Sequence, residues 1–248
     1  MNEQCPESRR KFVKLCASAL ALIGAAPRIL AQKDGVPHDY PRARLVDAND
    51  RPITAASLKT GETYLFHYPY VTTPCFLIDL GKATKPGVEL NTKDGHRYQW
   101  KGGVGPRRSI VAFSAICAHR MSYPAREVSF INYRHESVSF LNKDSQTVER
   151  SQVIYCCSER SVYDPSDGAR VLGGPAPQPL AAILLDYHAK DGALYATGTY
   201  GGEMFEKFLK DFSFRLMLDF KTSNIREQIR DNVTVVPMAK YCNTRIMC

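Results

Sequence analysis

Apolar positions fall in short runs of roughly four to eight residues, broken by turn residues, which is the pattern of many short strands. Tyr64–Tyr70 and Cys75–Leu80 read as strands on either side of Thr72-Thr73-Pro74. Asp94-Gly95 before His96–Trp100 marks a hairpin turn, because the pair tolerates the positive φ such turns need. Ser109–Ile116 (SIVAFSAI) is the richest strand candidate and runs directly into Cys117. Val128–Tyr133 and Gln152–Tyr155 bracket a polar stretch, 134–151, that reads as an inserted loop. Ile183–Tyr187 and Ala193–Tyr200 flank Lys190-Asp191-Gly192, a second hairpin signature. Together these predict an all-β domain, a small sandwich or barrel, over residues 61–202. Beyond it the period changes: Phe205, Phe208, Leu209 and Phe212 recur at helical spacing. Phe214–Phe220 is apolar and Val233–Val236 is a candidate strand, so 203–248 forms a C-terminal, partly helical extension. Its apolar stripe predicts docking on the domain or on a partner.

Composition narrows this little. An apolar share of 44% rules out wholesale disorder, and 16 glycines with 15 prolines suit a loop-rich β protein better than a helical bundle. Of the formal charge of +8, a disproportionate share sits at the start: residues 1–31 hold five Lys/Arg and two Asp/Glu, leaving about +5 on the rest. That remainder is dispersed, so nucleic acid is not an expected partner.

The first residues read as an address. Ser8-Arg9-Arg10-Lys11-Phe12-Val13-Lys14 precedes an apolar run, Leu15 to Ala26, then Pro27-Arg28 and Ile29-Leu30-Ala31. A basic start, a short apolar centre and a small residue at the cut describe an export signal, and the paired arginines point to the Tat route. The run is shorter than the roughly 20 apolar residues a bilayer span needs, so membrane association is expected only if the leader stays uncleaved. This predicts a Tat signal at 1–31, a lead-in segment at 32–60 and a periplasmic location. Because that route exports folded proteins, it also raises the expectation of an inserted cofactor. Of the eight cysteines, Cys5 and Cys16 lie in the leader. The other six would meet an oxidising compartment, where Cys242 could bridge to Cys248, or Cys75 to either.

The chemistry sits in two stretches. Cys117-Ala118-His119 ends the SIVAFSAI strand, so a thiol and an imidazole share one tight loop. Further on comes Cys156-Cys157-Ser158-Glu159-Arg160-Ser161-Val162-Tyr163-Asp164, and then the Gly/Pro-rich run GGPAPQPL. In this order the parts resemble the Rieske [2Fe-2S] proteins, similar to the Rieske subunits of bacterial arsenite oxidases and cytochrome bc-type complexes. The resemblance covers roughly residues 109–200. It implies a Rieske-like sandwich or barrel with a cluster-binding subdomain, in which two cysteines take one iron and two histidines the other. It also implies that the hydroxyls of Ser161 and Tyr163 hydrogen-bond cluster sulfur.

This chain departs from the family at the fourth ligand: aligned on Ser161-x-Tyr163-Asp164, Glu159 stands at the histidine position. The cysteines that join the two loops in many members are replaced by Ser122 and Ser158, so that bridge is expected to be missing. Shifting the register to use Cys157 would put Arg160 at the ligand place, and a guanidinium is no ligand. Four arrangements remain open on the residues alone. Cys117, His119 and Cys156 can be joined by Glu159, by Cys157, or by His135 from the insert, or the fold is kept without a cluster as a partner-binding module. Taken singly, a buried Cys or His is an ordinary core side chain. Their joint placement in the two family loops is what singles them out.

No phosphate-binding Gly loop stands at a strand–helix junction, no C-x-x-C pair is present, and no G-x-S-x-G nucleophile motif occurs. The sequence therefore predicts no activity of its own. It predicts an electron-transfer subunit whose partner is a redox protein: a molybdenum oxidoreductase, a bc-type complex or a cytochrome.

Overall fold

Strand Ile110–Ser114 shows why the apolar runs fold as they do: every residue in it is buried. Pro74–Asp79 and Thr63–His67 lie to one side of it and Ala182–Tyr187 to the other. Successive side chains point to opposite faces of a strand. Ile110 and Ala112 enter one apolar cluster, and Val111 and Phe113 enter another. The same alternation sends Cys75 and Leu77 one way and Phe76 and Ile78 the other. A strand covered on both faces reads as a nearly unbroken apolar run.

The computed structural model describes residues 37–248; the leader 1–31 and the first residues of the lead-in lie outside the described residues. The main sheet runs Asp231–Thr234, His38–Val46, Leu194–Tyr200, Ala182–Tyr187, Ile110–Ser114, Pro74–Asp79, Thr63–His67, Val236–Pro237. All neighbours are antiparallel except His38–Val46 with Asp231–Thr234, which are parallel. Its two edges are consecutive pieces of one stretch, 231–237, with the Val235 N–H donating to the Val46 carbonyl at 2.8 Å between them. One segment thus pairs with both ends of the sheet and nearly closes it into a barrel, which covers most of the edge an open sheet would expose.

A second, four-stranded antiparallel sheet runs Arg170–Gly173, Ser161–Asp164, Val153–Cys156, Ile131–Arg134. Ile131, Tyr133, Ile154, Cys156 and Tyr163 pack one of its faces against the barrel. Val153, Tyr155 and Val162 on the other face meet Val138 and Phe140. Those last two belong to a hairpin, Val138–Leu141 with Thr147–Arg150, where the sequence reading expected an inserted loop. Alternation in so short and polar a pair is easily lost: only Val138, Phe140 and Val148 point inward. Buried Asp164 secures the hairpin by accepting from Arg150.

The lead-in also holds more order than its polar, proline-containing sequence suggested. His38–Val46 is a full strand of the barrel, and Pro41 sits where its register with Leu194–Tyr200 shifts between Asp39 and Ala43. A bulge is where a strand tolerates a residue without an N–H. Within 203–248, helices Phe205–Asp211 and Ser213–Phe220 bury Phe205, Phe208, Leu209 and Leu216 in the barrel cluster. Among the described residues no helix is long and apolar enough to cross a membrane.

Candidate metal centre

Both motif loops project from strand ends, and the two sheets turn them toward each other. The first leaves Ile110–Ser114; the Cys117 carbonyl accepts from the Met121 N–H at 2.9 Å, and the Cys117 N–H donates to the Ser122 carbonyl at 2.9 Å. Met121 takes φ +58°, the left-handed conformation that closes this tight turn. The second loop joins Val153–Cys156 to Ser161–Asp164 and turns through Arg160 at φ +57°. In that hairpin Cys156 lies directly across from Ser161. Because side chains alternate, Ser161 and Tyr163 share the face that carries Cys156, while Val162 points to the other side. The S-x-Y spacing is thus a device for aiming two hydroxyls at one place.

The sulfurs of Cys117 and Cys156, both buried, lie within hydrogen-bonding reach of each other. Tyr163, fully buried, brings its hydroxyl to 3.2 Å from the Cys117 sulfur and accepts from the Ala118 N–H at 3.2 Å. The Cys156 thiol, together with the Tyr163 hydroxyl and the N–H groups of His119 and Arg120, lowers the Cys117 thiol to about 6 against the opposing cost of burial. Cys156 moves the other way, raised first by its hydrogen bond with Cys117 and then by burial, although the Ser158 and Glu159 N–H groups favour its thiolate. Each sulfur is thus approached by two amides of its own loop, which favour negative charge there. Burial, and then the Cys117 sulfur, push the Tyr163 phenol well above its usual range, so it stays protonated as a donor.

Two more predicted residues present polar atoms with nothing to bond. His119 Nδ1 and Ser161 Oγ are both buried without a hydrogen-bond partner. Leaving such a group unpaired costs about 1–3 kcal/mol, so two such atoms on the motif loops point to a missing partner. Glu159 behaves differently: its partly exposed carboxylate lies 3.7 Å from Arg120, an ion pair that joins the tips of the two loops. Among the described residues no three His, Cys, Asp or Glu side chains converge to hold a single ion. A two-iron cluster instead takes two protein donors at each iron. The two sulfurs and the unpartnered imidazole nitrogen match that donor chemistry.

The remaining candidates are corrected by the fold. Cys157 is in a disulfide with Cys248, their Cα atoms 5.7 Å apart, and so is no free ligand. The bridges expected among Cys75, Cys242 and Cys248 are replaced by this one, with Cys75 and Cys242 free and buried. His135 follows Arg134, whereas Cys156 pairs with Ile131 at the opposite end of the same strand. Four residues of strand put them on the order of 13 Å apart along the chain direction. Sequence reasoning missed the Arg120–Glu159 pair and the reason for the double glycine. A Cβ on Gly174, at φ +78°, would sit 2.2 Å from the Arg160 carbonyl oxygen, and one on Gly173 2.1 Å from that of Leu141. Without side chains, Gly174 can lie against the second loop and Gly173 against the Val138–Leu141 strand.

No family model matches the chain. It is 26% identical over 202 residues to the iodate reductase subunit IdrB of Pseudomonas sp. (strain SCT), covering 80% of this chain and 82% of that protein. It is 25% identical over 200 residues to the iodate reductase subunit IdrB of Denitromonas iodatirespirans, covering 80% and 84%. Among solved structures it is similar to the soluble domain of Rieske protein II from Sulfolobus acidocaldarius, at 26% identity and a TM-score of 0.43, covering 66% of this chain and 82% of that one. Two motif loops in this order, converging over a four-stranded sheet and beneath a Gly-Pro cover, make the chain similar to the Rieske proteins.

Proposed function

We propose that the chain is a periplasmic one-electron transfer subunit that holds a [2Fe-2S] cluster between Cys117, Cys156, His119 and Glu159. The observation that carries this reading is the pair of orphaned polar atoms, His119 Nδ1 and Ser161 Oγ, on the two loops whose cysteine sulfurs interact with each other. An iron would take the imidazole lone pair and a cluster sulfur would accept from the serine hydroxyl, so one group satisfies both. Glu159 is the fourth donor by elimination, since Cys157 is in a disulfide and His135 lies at the far end of its strand. When bound, the cluster supplies a reversible one-electron couple.

The chain's own groups set how that couple is poised. Amide N–H groups on both cysteine sulfurs and the Tyr163 hydroxyl on Cys117 offset negative charge, which favours the reduced state. Glu159 in place of a neutral imidazole adds a negative charge, which favours the oxidised state. Arg120 offsets this only modestly, because the pair is partly exposed and 3.7 Å apart. The net direction is downward, below the upper part of the range of roughly −150 to +300 mV for histidine-ligated Rieske centres. Service to a larger oxidoreductase is supported by relatives that are reductase subunits.

The test is iron and acid-labile sulfide analysis of protein made in a host that builds such clusters, with electron paramagnetic resonance of the reduced form. Two irons and two sulfides per chain, lost on Cys117→Ser, are expected. Metal-free protein from that host overturns the redox reading and leaves a partner-binding module. With a cluster present, Glu159→Ala separates the ligand sets: an unchanged spectrum removes Glu159 from the first coordination sphere.

A further inference from the structure

Residues 242–248 form a strap over the outside of the second ligand loop. Asn243 and Thr244 donate through their backbone N–H groups to the carbonyls of Arg126 and Glu127, at 2.8 and 3.1 Å. Thr244–Arg245 pairs in parallel with Val128–Ser129, and the Ile246 N–H donates to the Ser129 carbonyl at 2.9 Å. The buried Asn132 amide donates to the Ile246 carbonyl at 3.0 Å, and Arg134 to the Cys248 carbonyl at 2.8 Å. The strap ends in the Cys157–Cys248 disulfide, and Cys157 itself donates its N–H to the Phe130 carbonyl at 2.7 Å.

Cys157 stands between the sulfur of Cys156 and the two amides, Ser158 and Glu159, that hydrogen-bond that sulfur. With Ser122 and Ser158 where other members bridge their loops, no disulfide joins the two loops here. Across the loop tips stands the partly exposed Arg120–Glu159 pair, and such pairs contribute about 0–1 kcal/mol. We propose that the Cys157–Cys248 disulfide is a clasp that positions the second ligand loop, fixing the amides of Ser158 and Glu159 on the Cys156 sulfur from outside the site. Cys157 and Cys248 are then positioning residues that act through the backbone. Cys248 is exposed, so a soluble dithiol can open the clasp. In that exchange the dithiol gives two electrons and two protons, becomes a disulfide, and leaves Cys157 and Cys248 as free thiols.

The sulfur that the clasp serves is a cluster ligand only if the proposed function holds, so the test has one arm that does not need the cluster. Hydrogen exchange of the full chain is compared between wild type and Cys248→Ser. Amides 157–160 should exchange about tenfold faster or more in the variant, while Ile110–Ser114 in the barrel stays unchanged. In cluster-loaded protein the reduction potential should fall, because hydrogen bonds to the ligand sulfur are lost. Wild-type exchange at 157–160, faster exchange confined to 243–248, a rise spread equally over the barrel, or an unmoved potential each overturn the clasp. Should Cys248→Ser fail to fold, wild-type protein treated with dithiothreitol replaces it in the exchange arm. Protein that lacks iron but loosens at 157–160 keeps the clasp and removes the cluster; iron-loaded protein with unchanged exchange does the reverse.

Discussion

Replacing Tyr163 by Phe removes one oxygen from a buried site and little else. That oxygen makes two bonds, 3.2 Å to the Cys117 sulfur and 3.2 Å from the Ala118 N–H, and the ring around it is fully buried. The Ala118 N–H is left buried without an acceptor, at a cost of about 1–3 kcal/mol. For a domain of this size, that lowers the melting temperature by roughly 2–4 °C per kcal/mol. The redox consequence follows from the other bond. A hydrogen bond to a charged group contributes about 1.5–3 kcal/mol, and in protein loaded with the proposed cluster the reduced state would carry one more negative charge than the oxidised one. Where roughly half of that bond is felt differently by the two states, the reduced form loses about 0.7–1.4 kcal/mol. At about 59 mV per 1.4 kcal/mol for one electron, the potential falls by about 30–60 mV. A redox titration followed by electron paramagnetic resonance measures it, with circular dichroism confirming a folded variant. A folded Tyr163→Phe protein whose potential is unmoved or raised refutes the view that this hydroxyl donates to a ligand sulfur.

Further outcomes are expected elsewhere. Gly174→Ala places a methyl 2.2 Å from the Arg160 oxygen at a φ of +78°, so the covering loop must lift; in protein loaded with the proposed cluster, colour should bleach faster in air while the barrel keeps its far-ultraviolet spectrum. His67, whose buried Nε2 lacks a partner, is held at about 4 by burial and then by Arg126. The unfolded chain binds a proton near 6.5 that the folded chain refuses, so stability present above that pH is lost as pH falls toward 4, by up to about 3 kcal/mol. His67→Phe, which keeps the edge-on packing against Phe220, should flatten the urea midpoint between pH 6.5 and 4; an unchanged slope removes His67 as the cause.

Local pattern carried much of this molecule. SIVAFSAI, the Asp94-Gly95 turn and the Phe205–Phe212 stripe each appear in the fold nearly where their periodicity put them. Such signals depend on neighbours a few residues apart, and a sequence displays those directly. Short polar elements were not legible for the same reason. His38–Val46 is interrupted by Pro41, and the 138–150 hairpin turns only three apolar side chains inward, so neither shows a period.

By itself the sequence determined the local grouping of residues: Cys117-x-His119 on one strand end, and Cys156 with Glu159, Ser161 and Tyr163 on another. Only the tertiary structure decided that 231–237 closes the barrel, that Cys157 goes to Cys248, and that Glu159 meets Arg120. Each of these joins positions far apart along the chain, and many pairings satisfy the same pattern of side chains. Which one forms depends on strand register and on where whole sheets settle against each other, quantities that packing fixes and local spacing leaves free.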